Sequence, residues 1–176
     1  MLCKSIYDSP LGVITLASDG QNLTGLWIES QLDPHKEVIK DASLDDNLEV
    51  FVRVKSWLDR YFAGEKLTID GLPIFMDGSP FRKAVWNILR EIPYGKLITY
   101  GDIAKEMAVL SGVDRMSAQA VGGAVGHNPI SIIVPCHRVV GTDGNLTGYA
   151  GGIDLKIRLL ELEGFTVDRE KKKVIL

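Results

Sequence analysis

The sequence predicts a mixed α/β (α+β) chain of two domains, a small α/β domain over residues 1–78 and a mostly helical one over 79–176. Three observations predict it. Short β-forming runs precede one amphipathic helix in the first part. A joint rich in Pro and Gly follows. The second part is then a series of capped helices, two of them with helix-turn-helix spacing. At 176 residues the chain is long enough for one ordinary domain or two small ones.

The elements follow in order. Residues 11–18, with Val13, Thr15 and Leu16, and the run Leu23 to Ile28 read as strands, separated by Ser18-Asp19-Gly20 and preceded by the turn Ser9-Pro10-Leu11-Gly12. From Asp46 onward Leu48, Phe51, Val54, Trp57, Leu58, Tyr61 and Phe62 recur at helical spacing, and Gly64 is the stop. The joint runs from Leu72 to Ser79. Ser79 is then an N-cap with Pro80 at the first helical position, and Val85, Ile88, Leu89 and Ile92 form a buried stripe ended by Pro93-Tyr94-Gly95. Thr99 and Asp102 have capping-box spacing for a further helix, which turns at Ser111-Gly112. Ser117 caps a helix through Val125, and a last one carries Lys156 to Glu163 before Gly164.

Charge and composition exclude several classes. No apolar run reaches transmembrane length, Met1-Leu2-Cys3-Lys4 does not open a signal peptide, and a cytoplasmic protein with free thiols at Cys3 and Cys136 is expected. His35, His127 and His137 with the two cysteines give no zinc spacing, and there is no P-loop or dinucleotide fingerprint, so neither metal nor cofactor is expected. The net charge of −3 is unevenly spread: residues 1–78 hold 7 Lys/Arg against 13 Asp/Glu, whereas 79–176 hold 13 against 10. That balance permits nucleic-acid binding by the second half without demanding it.

The run Ile132-Ile133-Val134-Pro135-Cys136-His137-Arg138-Val139 is the densest in chemistry. Pro135 fixes the backbone just before a cysteine, and a reactive thiolate needs a base or positive field such as His137 could give. Neighbours on an extended strand point to opposite faces, so the run does not by itself imply a direct contact between the two side chains, and a bridging water is a reasonable link. The same residues also describe a buried core cysteine, since a free cysteine packs like a small hydrophobe. The helix of Ala118, Ala120, Gly122, Gly123 and Ala124 offers no long side chain for reading base edges, and its glycines cost about 1 kcal/mol each relative to alanine. Close backbone approach to a partner and tight helix packing both account for it.

Four segments within Phe81–Gly164 resemble, in order and spacing, the O6-alkylguanine-DNA alkyltransferases (methylated-DNA–protein-cysteine methyltransferases). They are Ile92-Pro93-Tyr94-Gly95-Lys96-Leu97-Ile98-Thr99-Tyr100; Ala120-Val121-Gly122-Gly123-Ala124 with Asn128-Pro129; Pro135-Cys136-His137-Arg138-Val139; and Leu146 to Gly152 followed by Leu159-Leu160-Glu161-Leu162-Glu163-Gly164. The resemblance implies a ribonuclease-H-like first domain in a supporting role and a winged-helix-like second domain. It implies a monomer that binds duplex DNA carrying O6-alkylguanine through the minor groove, without membrane or cofactor. The alkyl group passes once and irreversibly to Cys136, with O4-alkylthymine as a second candidate substrate.

Residue by residue, the resemblance makes His137 the acceptor of the thiol proton through water and Glu163 the group that orients and charges the imidazole. Tyr100 donates to the leaving base. Asn128 joins the helix-turn-helix to the cysteine segment. Tyr149, Ala150 and Gly151 line the pocket for a flipped nucleotide, and Val139 orients guanine through its backbone. Arg138 is counted with the DNA-binding group, as are Gln119, Ala120, Gly122 and Gly123. One departure stands out: Gln119 lies where many members carry an intercalating arginine, and Arg115 lies four residues before it. Two rivals remain at this level, a lesion-binding protein that transfers nothing and a cysteine hydrolase with repeated turnover.

Overall fold

The computed structural model describes residues 1–176, and the chain divides into two compact units: 1–77 with 129–133, and 78–128 with 134–176. In the first unit β1 (Cys3–Ser9), β2 (Gly12–Ser18) and β3 (Leu23–Ile28) form an antiparallel meander, followed by α1 (Lys36–Ile39), β4 (Ser43–Leu44) and α2 (Glu49–Phe62). The sheet order is β3-β2-β1-β4, with β4 parallel to β1. The sequence reading found β2 and β3 but set no bounds for β1. Cys3 and Ser5 are buried there while Ile6 is exposed, so β1 lacks a clean apolar alternation.

Helix α2 begins at Glu49 and not at Asp46, because the Asp46 carboxylate is held by Ser5 and Lys55. Its buried Val50, Phe51, Val54, Leu58 and Tyr61 pack on β1 and β2. A second cluster gathers Trp27 with Ala17, Ile39 and Ala42. Gly25 makes room for it: a Cβ there would lie 2.1 Å from the indole ring.

The joint falls between Asp77 and Gly78, and the first unit also takes in residues 129–133. Residues 129–133 pack with the first unit because Leu26 donates to the Pro129 carbonyl at 2.9 Å and accepts from the Ser131 amide at 3.2 Å. Ile130 thereby bridges β3 in parallel.

The second unit contains α3 (Pro80–Arg90), β5 (Ile98–Thr99), α4 (Tyr100–Ser111), α5 (Ala118–Gly126), β6 (Val139–Val140), α6 (Ile153–Leu162), β7 (Val167–Asp168) and β8 (Lys173–Val174). Each expected cap forms. Ser79 accepts from the Arg82 amide, Thr99 and Asp102 close a reciprocal capping box, and Ser117 accepts from the Ala120 amide. Gly112 ends α4 in the left-handed region at φ +66°, where a side chain would be strained. α6 starts three residues before Lys156, directly after Gly152 at φ +94°. α3 is tied to α5 by the Trp86 indole donating to the Ala124 carbonyl at 2.9 Å. β5 and β6 pair in parallel, β7 and β8 form a hairpin, and Val140, Leu146, Ile157, Leu160 and Val174 form a core cluster. No helix is long and apolar enough to cross a membrane.

Candidate active site

The cysteine is delivered by turns and not by the strand its apolar run suggests. Ile132 sits at φ +70°, buried, with the Ile133 amide donating to the Ser131 carbonyl at 2.8 Å. This is a γ-turn on a β-branched residue, strained by about 1–3 kcal/mol. A second three-residue turn follows at Pro135 (φ −84°, ψ 64°), closed by the Cys136 amide on the Val134 carbonyl at 2.8 Å. Cys136–Arg138 then form a 3-10 turn. The strand geometry expected for Cys136 and His137 is therefore corrected. Proline fixes φ of the inverse turn, and the turn redirects the chain before a ladder can form.

Cys136 is 6 % exposed. Burial pushes its thiol up, while bonding by the side chains of Asn128 and Tyr149 and the charge of Lys156 pull it down. Asn128, just beyond the end of α5, is itself buried and donates to the Val134 carbonyl at 2.8 Å, which ties the end of that helix to the cysteine turn.

His137 and Glu163 meet across the unit. His137 Nε2 donates to Glu163 Oε1 at 2.7 Å, and both side chains are fully buried. Nδ1 makes no hydrogen bond to the protein. Burial pushes His137 below its ordinary value, beating the opposing bond and charge of Glu163; Arg138 and Lys156 push the same way as burial. Burial alone would raise Glu163, but the bonds and charges of His137 and Arg138 bring it down to about 2. The carboxylate is ionised and the imidazole neutral near pH 7, with Nδ1 as its basic atom.

Arg138 does not reach out toward a ligand. Its Nε lies 2.9 and 3.2 Å from the two Glu163 oxygens, its Nη2 2.8 Å from Oε1, and its Nη1 donates to the Ile92 carbonyl at 2.6 Å. The side chain is 7 % exposed. Its expected place among DNA-binding residues is corrected, since a buried carboxylate next to a histidine demands a compensating cation.

Tyr100, half-buried, donates to the Thr147 carbonyl at 3.1 Å, and burial together with the Cys136 charge raises its hydroxyl to about 12. It is a proton donor at neutral pH. Lys156 was not singled out by the sequence. It is fully buried in α6, donates to the Val139 carbonyl at 2.6 Å and lies 5.7 Å from the Tyr100 ring centroid; burial lowers it to about 8. A signal existed: Ile153, Lys156, Ile157 and Leu160 follow the helical core period, so a lysine occupies an apolar position. Val139, buried, already gives its carbonyl to that lysine. Tyr149 reaches the thiol, while Ala150 is exposed and Gly151 is partly covered in the turn closed by the Gly152 amide on the Tyr149 carbonyl.

The remaining expected residues form a separate surface. Gln119, Ala120 and Gly123 lie exposed on α5, opposite buried Val121, Ala124 and Val125. A Cβ at Gly123 would meet nothing within 4 Å, and one at Gly122 only the Tyr100 ring at 3.9 Å. Packing inside the chain requires neither glycine, and the smooth face borders Tyr100. No group of three His, Cys, Asp or Glu side chains is placed to hold a metal ion.

Comparison with known proteins follows the same division. Residues 2–75 match the ribonuclease-like domain of 6-O-methylguanine DNA methyltransferase, and residues 80–165 match its DNA binding domain. The chain belongs to this family. The methylated-DNA–protein-cysteine methyltransferase of Haemophilus influenzae is 42 % identical over 92 % of this chain and 86 % of its own. That of Methanosarcina acetivorans is 44 % identical over 91 % and 97 %. Among solved structures, Mycobacterium tuberculosis OGT in complex with DNA aligns with TM-score 0.78 and 42 % identity over 91 % of each chain. The mixed α/β fold of the family is thus the fold of this chain.

Proposed function

We propose that the protein repairs DNA by direct reversal, moving the alkyl group of O6-alkylguanine onto Cys136 Sγ. The sulfur lone pair forms the new S–C bond while the C–O6 bond breaks and its electron pair passes into the purine. The thiol proton goes to His137 Nδ1 through a water, and the Tyr100 hydroxyl supplies a proton to the purine as negative charge develops. Lys156 offsets charge at the sulfur. The observation that carries this reading is the buried relay, in which a neutral imidazole with an open nitrogen, on the residue that follows the cysteine in the chain, is oriented by an ionised carboxylate.

The product is a thioether with no group nearby to cleave it, so each molecule acts once. O4-alkylthymine offers the same alkyl–oxygen bond and is a second substrate. O6 lies in the base stack, so the nucleotide is flipped out and held near Tyr149, Ala150 and Gly151. The exposed small residues of α5 suit a shallow docking in the minor groove, where readout is degenerate and any sequence is admitted. Gln119, at the start of that helix, fills the space left by the flipped nucleotide by hydrogen bonding, without the cation an arginine would bring. The DNA complex of the Mycobacterium tuberculosis relative supports DNA as the partner. The protein acts as a cytoplasmic monomer.

The test is an equimolar incubation with a duplex carrying one O6-methylguanine, followed by peptide mass analysis. One added methyl on the Cys136 peptide, with guanine restored in the DNA, is expected. Tight binding of the lesion with Cys136 unmodified would make the protein a recognition factor instead.

A further inference from the structure

The mechanism above uses Cys136, His137, Glu163, Tyr100 and Lys156, and leaves Arg138 with no role. Yet Arg138 is bonded directly to the relay. Three of its N–H···O contacts end on Glu163, covering both carboxylate oxygens, and the fourth bond anchors the guanidinium on the Ile92 carbonyl just past α3. The Tyr94 ring backs it, 5.6 Å from centroid to guanidinium carbon, and the Tyr94 hydroxyl donates to the Leu162 carbonyl. Glu163 Oε1 therefore serves two cationic or potentially cationic groups, Arg138 and His137.

We propose that Arg138 is a positioning residue for the relay: by occupying both oxygens of Glu163 it balances that charge permanently and leaves His137 as an uncharged acceptor. This rests on the alkyl-transfer reading. A buried carboxylate paired only with an imidazole favours a proton on the ring, because the opposite charge beside it stabilises the imidazolium against burial. With that proton in place Nδ1 is already occupied and cannot take the one from Cys136. A guanidinium cannot lose its own proton, so it satisfies Glu163 at every working pH and removes the need for an imidazolium. Glu163 is then left to orient the ring through Nε2. The other charged group facing His137 is Lys156 on α6, which also disfavours a charged ring.

The purely structural role predicts something different. If Arg138 only braced the end of α6, a lysine and a methionine there would fail alike, and neither would change the ionisation of His137. The charge role separates them. The test combines nitrogen NMR titration of the His137 ring with single-turnover transfer from an O6-methylguanine duplex over the acid limb of the pH profile. In Arg138→Met, His137 should stay protonated to higher pH than in the wild type, and the acid limb should move up with it. Arg138→Lys should keep both near their wild-type positions. Should Arg138→Met fail to fold, Arg138→Met/Glu163→Gln, which leaves no unpaired carboxylate, is compared with Glu163→Gln alone. His137 should titrate at higher pH in the double variant. An unmoved His137 in Arg138→Met, or in the double variant against Glu163→Gln, overturns this inference when the wild-type protein transfers methyl normally. A wild-type protein that transfers nothing overturns the alkyl-transfer reading, whatever His137 does.

Discussion

The relay around Cys136 and the exposed face of α5 solve opposite problems. Around the cysteine, His137, Arg138, Lys156 and Glu163 are buried where an apolar side chain would cost less, and nearly every polar atom has a partner. On α5 the exposed Ala120 and Gly123 carry almost nothing, and the space above Gly123 is open. The first region shows its use by an excess of bonds, the second by missing side chains. A site that performs chemistry is over-determined. A surface proposed to accept any DNA sequence is under-determined.

Substitutions at the cysteine should widen the contrast most. Cys136→Ser should abolish transfer while lesion-duplex affinity holds, read by methyl counting and by fluorescence anisotropy. Next comes Glu163→Gln, expected to lower transfer by about 100-fold. Because it strands Arg138, it should also cost about 3–5 kcal/mol of stability by urea unfolding. The same variant tests pH dependence. Glu163, lowered from 4.5 to about 2, contributes stability that is complete above pH 4.5 and lost as pH falls toward 2. His137, lowered in the folded state, refuses the proton that the unfolded chain takes up below about pH 6.5, so it too weakens the fold as pH drops. Wild-type unfolding midpoints should therefore fall on acidification, and Glu163→Gln should flatten the steepest part. Lys156 acts in the same sense at alkaline pH. Lowered from 10.5 to about 8, it is costly while charged, so stability should rise between those pH values, a rise that Lys156→Met removes.

The smallest effects belong to α5 and would break the comparison if they came out large on the wrong axis. Gly123→Ala should stabilise the protein by about 0.5–1 kcal/mol, because the methyl meets nothing and the helix gains propensity. It should nevertheless weaken duplex binding severalfold. A variant that gains stability and keeps its DNA affinity would show the open face to be idle. Gln119→Arg should bind DNA more tightly and transfer faster; no change in either would remove Gln119 from the list of residues that hold the flipped state.

Much of this was legible in the sequence because local rules and global fold agree. Ser79, Thr99 and Ser117 cap the helices they predict, His137 meets Glu163 from a distant part of the chain, and Asn128 reaches the turn that leads into Cys136. The misreadings share a cause. Ile132-Ile133-Val134 reads as a strand by composition, yet buried backbone closed into three-residue turns leaves no periodic signal. Arg138 and Lys156 were misplaced or overlooked because the polarity of a side chain says surface, and only the folded chain reveals the carboxylate and carbonyls that receive it.

The most direct test of the account is a titration at fixed protein with rising amounts of O6-methylguanine duplex, counting restored guanine at completion. The account predicts a plateau at one guanine per chain, with Cys136 fully methylated and no further conversion on longer incubation. Restored guanine climbing past the protein concentration would contradict it, since a turning-over site needs a step that frees the sulfur.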